Sequence, residues 1–435
     1  MAELLDELID WLKIQSVSTG GGDPEEIERA AEGAAERVRA AGGEVELVRI
    51  GSGNPLVVGE LRAAAEDAPT VLIYGHYDVQ APGPEDAWSS PAFAPEVRDG
   101  RLYARGAADD KGNFLPLLHV ACELARAGTL PVNVRVLVEG EEEAGSESVN
   151  AWIRDDERGA DAAVVFDAGM ADEHTPAITV GLRGKVGFDI TVRTGARDVH
   201  SGIYGGSALN ALHALHAMLA AVLPGPDGQL REELLEGIAP PAPAELASWE
   251  RLKPGEDVLA EVGARPAYPG AGAQYYLRNG AGASIDVNEL AGGEPRTVVP
   301  ATARATVSVR IAPGQRSERI APALERLLRA AAPNGAEVEL TGLHAEPALF
   351  DPEQPALQLA AQAIETATGT APAFVRVGGS IPVVAEFAAR GIPTVVTGFF
   401  LPDDAFHAPD ESSRLESLRL GEATARELYA AFAGL

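Results

Sequence analysis

One cysteine, Cys122, occurs in the whole chain, so no internal disulfide can form and a reducing compartment, the cytoplasm, is the expected location. Lysine is almost as scarce: Lys13, Lys111, Lys185 and Lys253 are the only ones, and the remaining basic residues are arginines. With a formal net charge of −30 there is no large basic face to release counterions, which excludes nucleic acid and anionic membrane as expected partners and favours cationic ligands. No apolar run reaches membrane-span length. The N-terminal MAELLDELIDWLKIQS has neither a basic flank nor a cleavage site, and reads as the first amphipathic helix of a fold rather than a signal peptide. Aromatic residues make up only 5% against 46% hydrophobic, so the core must be built mainly from Ala, Val, Leu and Ile.

A chain of 435 residues exceeds what one hydrophobic core organises, and two domains are expected. The runs VLIYGHYDV (71–79), VNVRVLVEGEEE (132–143), DAAVVFDAG (161–169) and IPTVVTGFF (392–400) read as buried strands, separated by helical patterns such as NFLPLLHVACELARAG (113–128) and SESVNAWIRDD (146–156). That alternation predicts an α/β fold with a mostly parallel sheet flanked by helices. From about residue 181 the texture changes. GKVGFDITVRT and RATVSVRIAP alternate with period two, and ALNALHALHAMLAAV and SERIAPALERLLRAAA have helical spacing. The expected organisation is a discontinuous catalytic domain, 1–180 and 346–435, with an α+β lid or dimerisation domain inserted at 181–345. Within the insert, the Pro- and Gly-rich stretch 223–300 is expected to form long loops.

Ligands of open α/β sheets gather at the carboxyl ends of the strands. Those ends carry His76 and Asp78, Glu142 and Glu143, and Asp167. Asp109 and Asp110 in RGAADDKG precede a helix, and His407 in DDAFHAPDE follows the run at 392–400. Glu139, Glu141, Glu142 and Glu143 crowd the start of VEGEEEAGSE, which is either a solvated acidic loop or a place for a cation. Two imidazoles and several carboxylates brought to one edge are the donors of an N/O-ligated dinuclear metal site, most often Zn²⁺ and sometimes Mn²⁺. Taken singly, a His or Asp at a strand end is usually a cap; the joint placement is what points to metal. The other histidines lack that setting. His119 lies on an apolar helix and reads as core, His174 in a polar loop, and His213 with His216 in an Ala/Leu helix without a nearby carboxylate. The GGG of STGGGDPEE is not a phosphate loop, because no strand precedes it and no GK[ST] follows.

In order along the chain, GHYDV, RGAADDKG, EGEEEAGSE, VVFDAG, RDVHSGIYGG, VRVGGSIPV and DDAFHAPDE resemble the motifs of the dinuclear zinc exopeptidase and deacylase family. That family includes glutamate carboxypeptidase, aminoacylase, succinyl-diaminopimelate desuccinylase and carnosinase, and the chain looks most like its cytosolic nonspecific dipeptidase and carnosinase branch. The resemblance implies that His76 and Asp167 hold one divalent ion, that Glu143 and His407 hold the other, and that Asp109 bridges them. It implies two ions per chain, Zn²⁺ first and Mn²⁺ or Co²⁺ as substitutes. Asp78 would orient the His76 ring, and the Asp109–Asp110 peptide would be cis. Glu142 would be the general base, taking a proton from a water shared by ions roughly 3.5–4 Å apart and passing it to the leaving amine.

His200, in DVHSGIYGG, resembles a family histidine given to the site by a partner subunit, which implies a homodimer; without the resemblance it is a surface turn histidine. His344 in TGLHAEP is a second candidate for substrate contact. Asp at position 167, where carboxypeptidases and deacylases of the family usually have Glu, resembles the dipeptidase side. Gly379 and Ser380 lie in a turn that offers N–H groups to a carboxylate, and Arg310 in VSVRIAP resembles an arginine that clamps a substrate C-terminus. The expected activity is hydrolysis of short unblocked peptides, chiefly dipeptides. The alternatives are an N-acyl or N-carbamoyl amino acid amidohydrolase with the same metal core, and a non-catalytic binding relative, against which stands the presence of Glu142 and all five candidate ligands.

Overall fold

Runs of Val, Ile and Ala with no polar interruption form the middle of a nine-stranded sheet in the computed structural model, which describes residues 1–435. From one edge the strands are Glu44–Val48, Leu56–Leu61, Asn133–Glu139, Thr70–His76, Ala162–Phe166, Thr394–Thr397, Ala177–Leu182 and Ala348–Leu349, with Ala373–Val377 also paired to Ala177–Leu182. The central pairs are parallel and the margins antiparallel. Being covered by helices on both faces, the central strands are buried throughout, which is why they show no alternation. Register aligns His76 with Glu139 and Thr397 with Phe166, so four strand ends open on one edge of the sheet. This is the α/β architecture expected.

Helices attach through their apolar faces. Ala2–Leu12 buries Leu4, Leu8, Trp11 and Leu12, one stripe at helical spacing. Lys111–Arg126 lies between the sheet and Leu415–Phe432, and its first three turns are buried on every side. It approaches Thr70–His76 so closely that a Cβ on Gly75 would stand 2.3 Å from the Phe114 ring; only glycine there lets the helix pack beside His76.

A second sheet of four antiparallel strands runs Ser284–Gly292, Thr302–Ile311, Gly184–Arg193 and Glu337–Ala345. Alternate residues Ala303, Ala305, Val307, Val309 and Ile311 are buried beneath helices Ala211–Val222 and Ser317–Ala331. Their 21-residue core is separate from the 65-residue core of the main sheet. The stretch 223–300 differs from the loops expected. It holds helices Pro243–Trp249 and Gly255–Glu261 and the edge strand Ser284–Gly292. That strand is mostly exposed and bulged between Val287 and Glu289, so its own pattern is irregular, and the ladder to Thr302–Ile311 is what makes it a strand.

Candidate metal centre

His76 ends its strand with the ring buried, Nδ1 3.0 Å from the Asp78 carbonyl oxygen and 3.4 Å from Asp78 Oδ1. Its Nε2 therefore faces Asp109, 3.0 Å from Oδ1. Asp109 Oδ2 lies 3.0 Å from Nε2 of His407, which is also 3.2 Å from Glu143 Oε2. Asp167 follows the last residue of Ala162–Phe166. The ligand atoms of His76, Asp109 and Asp167 lie within 4.8 Å of one another, and so do those of Asp109, Glu143 and His407. Two triads thus share Asp109, which presents one oxygen to each histidine. The Asp109–Asp110 peptide is cis, and His407 sits in a tight turn at φ +61°.

Negative charge exceeds positive in this pocket. Burial pushes the carboxyls of Asp110 and Asp167 well above their usual range and that of Glu142 up to about 7, with Asp109 adding to each. Burial also opposes ionisation of Asp109, but hydrogen bonds from His407 and His76 outweigh it and hold Asp109 below the ordinary value. Hydrogen bonds to Asp109 and Glu143 raise His407 to about 10. Glu143 Oε1 is buried with no hydrogen-bond partner. Two imidazole nitrogens and three carboxylates, one of them shared, suit two divalent ions of the Zn²⁺ or Mn²⁺ kind.

Residues 72–431 match peptidase family M20/M25/M40. The chain belongs to this family. It is 29% identical over 383 residues to the cysteinylglycine-S-conjugate dipeptidase of Corynebacterium striatum, covering 82% of this chain and 80% of that protein. Human carnosine dipeptidase 1 superimposes with a TM-score of 0.78 at 25% identity, covering 100% of this chain and 96% of that one. The M20 metallo-carboxypeptidase Sso-CP2 of Sulfolobus solfataricus gives 0.88 over the full length of both chains at 24% identity, a likeness of fold.

In this M20-family chain the glutamate run divides its labour. Glu139 is buried and accepts from Tyr74 Oη (2.5 Å) and Ser146 Oγ (2.9 Å); Glu141 accepts from the N–H groups of Asn54 and Ser148. Glu143 belongs to a triad, and Glu142 stands beside it, partly buried. Asp78 accepts from the N–H groups of Glu142 (3.3 Å) and Glu143 (3.2 Å) and from Ser18 Oγ (2.6 Å), so it ties the glutamate turn to the His76 strand. Gln80 Nε2 donates to Glu143 Oε2 at 2.7 Å.

Sequence reasoning missed Glu411. Its buried carboxylate accepts from Arg105 Nη1 (2.6 Å) and from the N–H groups of Gly106 (3.0 Å), Ala108 (2.9 Å) and Asp109 (3.0 Å). A glutamate four positions after His407 was the available signal, but its partners lie some 300 residues earlier. Arg183 was missed as well. It is buried without a carboxylate partner, donates from Nη1 to Ser284 Oγ at 3.1 Å, and burial with the nearby Arg310 charge lowers it to about 10.

The remaining candidates are not members of the triads. Gly379 and Ser380 line a cavity with Asp167. His200 is exposed on the short ribbon Val199–His200, its Nδ1 accepting from Gly202 N–H. Arg310 and His344 are on the second sheet, opposite Lys185 and Val186, with His344 exposed. Within one chain none of these three hydrogen-bonds to a triad residue.

Proposed function

We propose that this M20-family chain is a metal-dependent dipeptidase that hydrolyses the peptide bond of short unblocked peptides. The observation that carries the reading is the pair of triads sharing Asp109, with the Glu142 carboxyl buried within reach of the charges of His76, Asp109 and Glu143. Relatives named as dipeptidases support the substrate class. Two divalent ions, Zn²⁺ first with Mn²⁺ or Co²⁺ as substitutes, would be held by His76 with Asp167 and by Glu143 with His407, bridged by Asp109. Bound there, such ions polarise a carbonyl and make water more acidic. Glu142 takes a proton from the attacking water; the new C–O bond forms at the scissile carbon; the C–N bond breaks, and Glu142 returns that proton to the leaving amine. Asp78 keeps His76 and the Glu142–Glu143 turn in place. The Gly379–Ser380 turn receives the substrate's carboxylate, assisted by Arg310 and His344 from the inserted part.

We further propose that residues 1–180 and 346–435 are the catalytic domain and 181–345 the lid, that the protein is a cytoplasmic homodimer joined through the lid, and that His200 acts on the partner's substrate. No helix is long and apolar enough to cross a membrane. The decisive experiment supplies metal and compares dipeptides, tripeptides and N-acetyl amino acids, with Glu142→Gln alongside. Dipeptide cleavage, lost about 10²- to 10⁴-fold in a variant that still binds two ions, is the expected result. Cleavage of the N-acetyl compounds alone would overturn the dipeptidase reading, and a fully active variant would overturn the role of Glu142.

A further inference from the structure

A cavity of about 640 Å³ begins at Asp167 and ends at the turn Gly378–Ile381. Its walls carry Met170, Leu252, Tyr275, Tyr276, Phe400 and Phe406. Besides Asp167 it has one charged side chain, Arg376, whose donors are already engaged: Nε and Nη2 pair with Glu245 at 2.5 and 3.0 Å, and Nη1 and Nη2 reach the carbonyls of Ala239 and Pro240. The cavity thus has aromatic and aliphatic faces, and the one further charge near it is Arg183, whose guanidinium would stand 2.7 Å from a Cβ on Gly378 at the turn end.

The wall from the 223–300 stretch is anchored on the main sheet. Trp249, Leu252 and Ala281 form a small apolar cluster with Ala177, Ala373 and Val375, against which Tyr276 packs. Trp249 Nε1 donates to the Phe374 carbonyl at 3.0 Å, and Tyr276 Oη to the Lys253 carbonyl at 2.7 Å. The stretch is therefore a preformed side of the cavity, anchored on the strand Ala373–Val377.

We infer that this cavity receives the side chain of the substrate's C-terminal residue and selects large apolar side chains, leucine to phenylalanine in size. The inference rests on the dipeptidase reading, which puts the scissile carbonyl at Asp109 and the terminal carboxylate at Gly379–Ser380; the C-terminal residue then lies along the cavity. An apolar side chain leaves water for a surface of its own kind. A charged one loses its hydration against these faces.

The test is kcat/KM of the metal-loaded full chain on Gly-Leu, Gly-Phe, Gly-Gly, Gly-Asp and Gly-Lys. Gly-Leu and Gly-Phe are expected to exceed Gly-Gly on the order of tenfold to a hundredfold, and to exceed the charged substrates by more. Met170→Lys, which places a cation in the wall, is expected to raise the Gly-Asp to Gly-Phe ratio at least about tenfold. Equal values across the parent's panel, or charged substrates ahead of Gly-Phe, overturn the inference and leave the dipeptidase reading standing. An unchanged ratio in folded Met170→Lys protein also overturns it. Cleavage of N-acetyl-phenylalanine and of no dipeptide removes the reading, and the inference with it.

Discussion

Replacing Glu411 with alanine strips four hydrogen bonds from one buried carboxylate and separates two loops of the metal centre. Arg105, its ion-pair partner, is 2% exposed. Breaking a buried ion pair from one side costs about 3–5 kcal/mol, because the remaining charge is left in a poor solvent. The N–H groups of Gly106, Ala108 and Asp109 lose their acceptor too, each worth about 1–3 kcal/mol when dry. Water entering the vacated space recovers part of this, and a net loss of about 5 kcal/mol is expected. Glu411→Gln keeps the shape and one acceptor oxygen but turns an NH₂ group toward donors, for about 2–3 kcal/mol. Asp109 lies within the loop that Glu411 holds, and His407 four residues before Glu411, so ion affinity should fall about 10- to 100-fold in either variant. Urea unfolding of metal-free protein measures the first effect and calorimetric titration with Zn²⁺ the second. Should Glu411→Ala unfold within about 1 kcal/mol of the parent and bind two ions at parental affinity, the joint described here does not exist.

Asp78→Asn should lower ion affinity about 10- to 100-fold and reduce activity at limiting metal, with recovery at high metal, because the amide cannot accept from Ser18, Glu142 and Glu143 as the carboxylate does; titration of activity against Zn²⁺ measures it, and an unshifted curve refutes the role. In metal-free protein, burial raises Glu142 to about 7 and Glu139 to about 8, while hydrogen bonds to Asp109 and Glu143 raise His407 to about 10. All three hold more protons folded than unfolded, so stability present below the unfolded values is lost as pH rises toward the folded ones. The Tm of chelator-treated protein should therefore fall between about pH 5 and 9, and added ions should raise it more at the alkaline end. A Tm that climbs with pH over that range contradicts this charge balance.

Much of the fold, and which residues meet in the candidate metal centre, were legible in the sequence because they follow from local patterns. VLIYGH, RVLVE and AAVVF are uninterrupted apolar runs that only a doubly covered sheet can bury, and in such a sheet the polar residues just past the strand ends, His76, Glu142, Glu143 and Asp167, face a common edge. The five candidate ligands and Glu142 could be named from motif and strand position. What tertiary structure decided are pairings between segments far apart in the chain. VEGEEE shows four like charges but not that Glu139 and Glu141 satisfy Tyr74, Ser146, Asn54 and Ser148 while Glu143 joins a triad. Glu411 reads as one more acid after His407 until the loop of Asp109 folds over it. Ser284–Gly292 becomes a strand only beside Thr302–Ile311, and the residues around Trp249 become a cavity wall only against Ala373–Val377. Propensity and periodicity act over a few residues, whereas a buried charge or an edge strand is stable only through its partner, and partner choice is set by the whole packed chain.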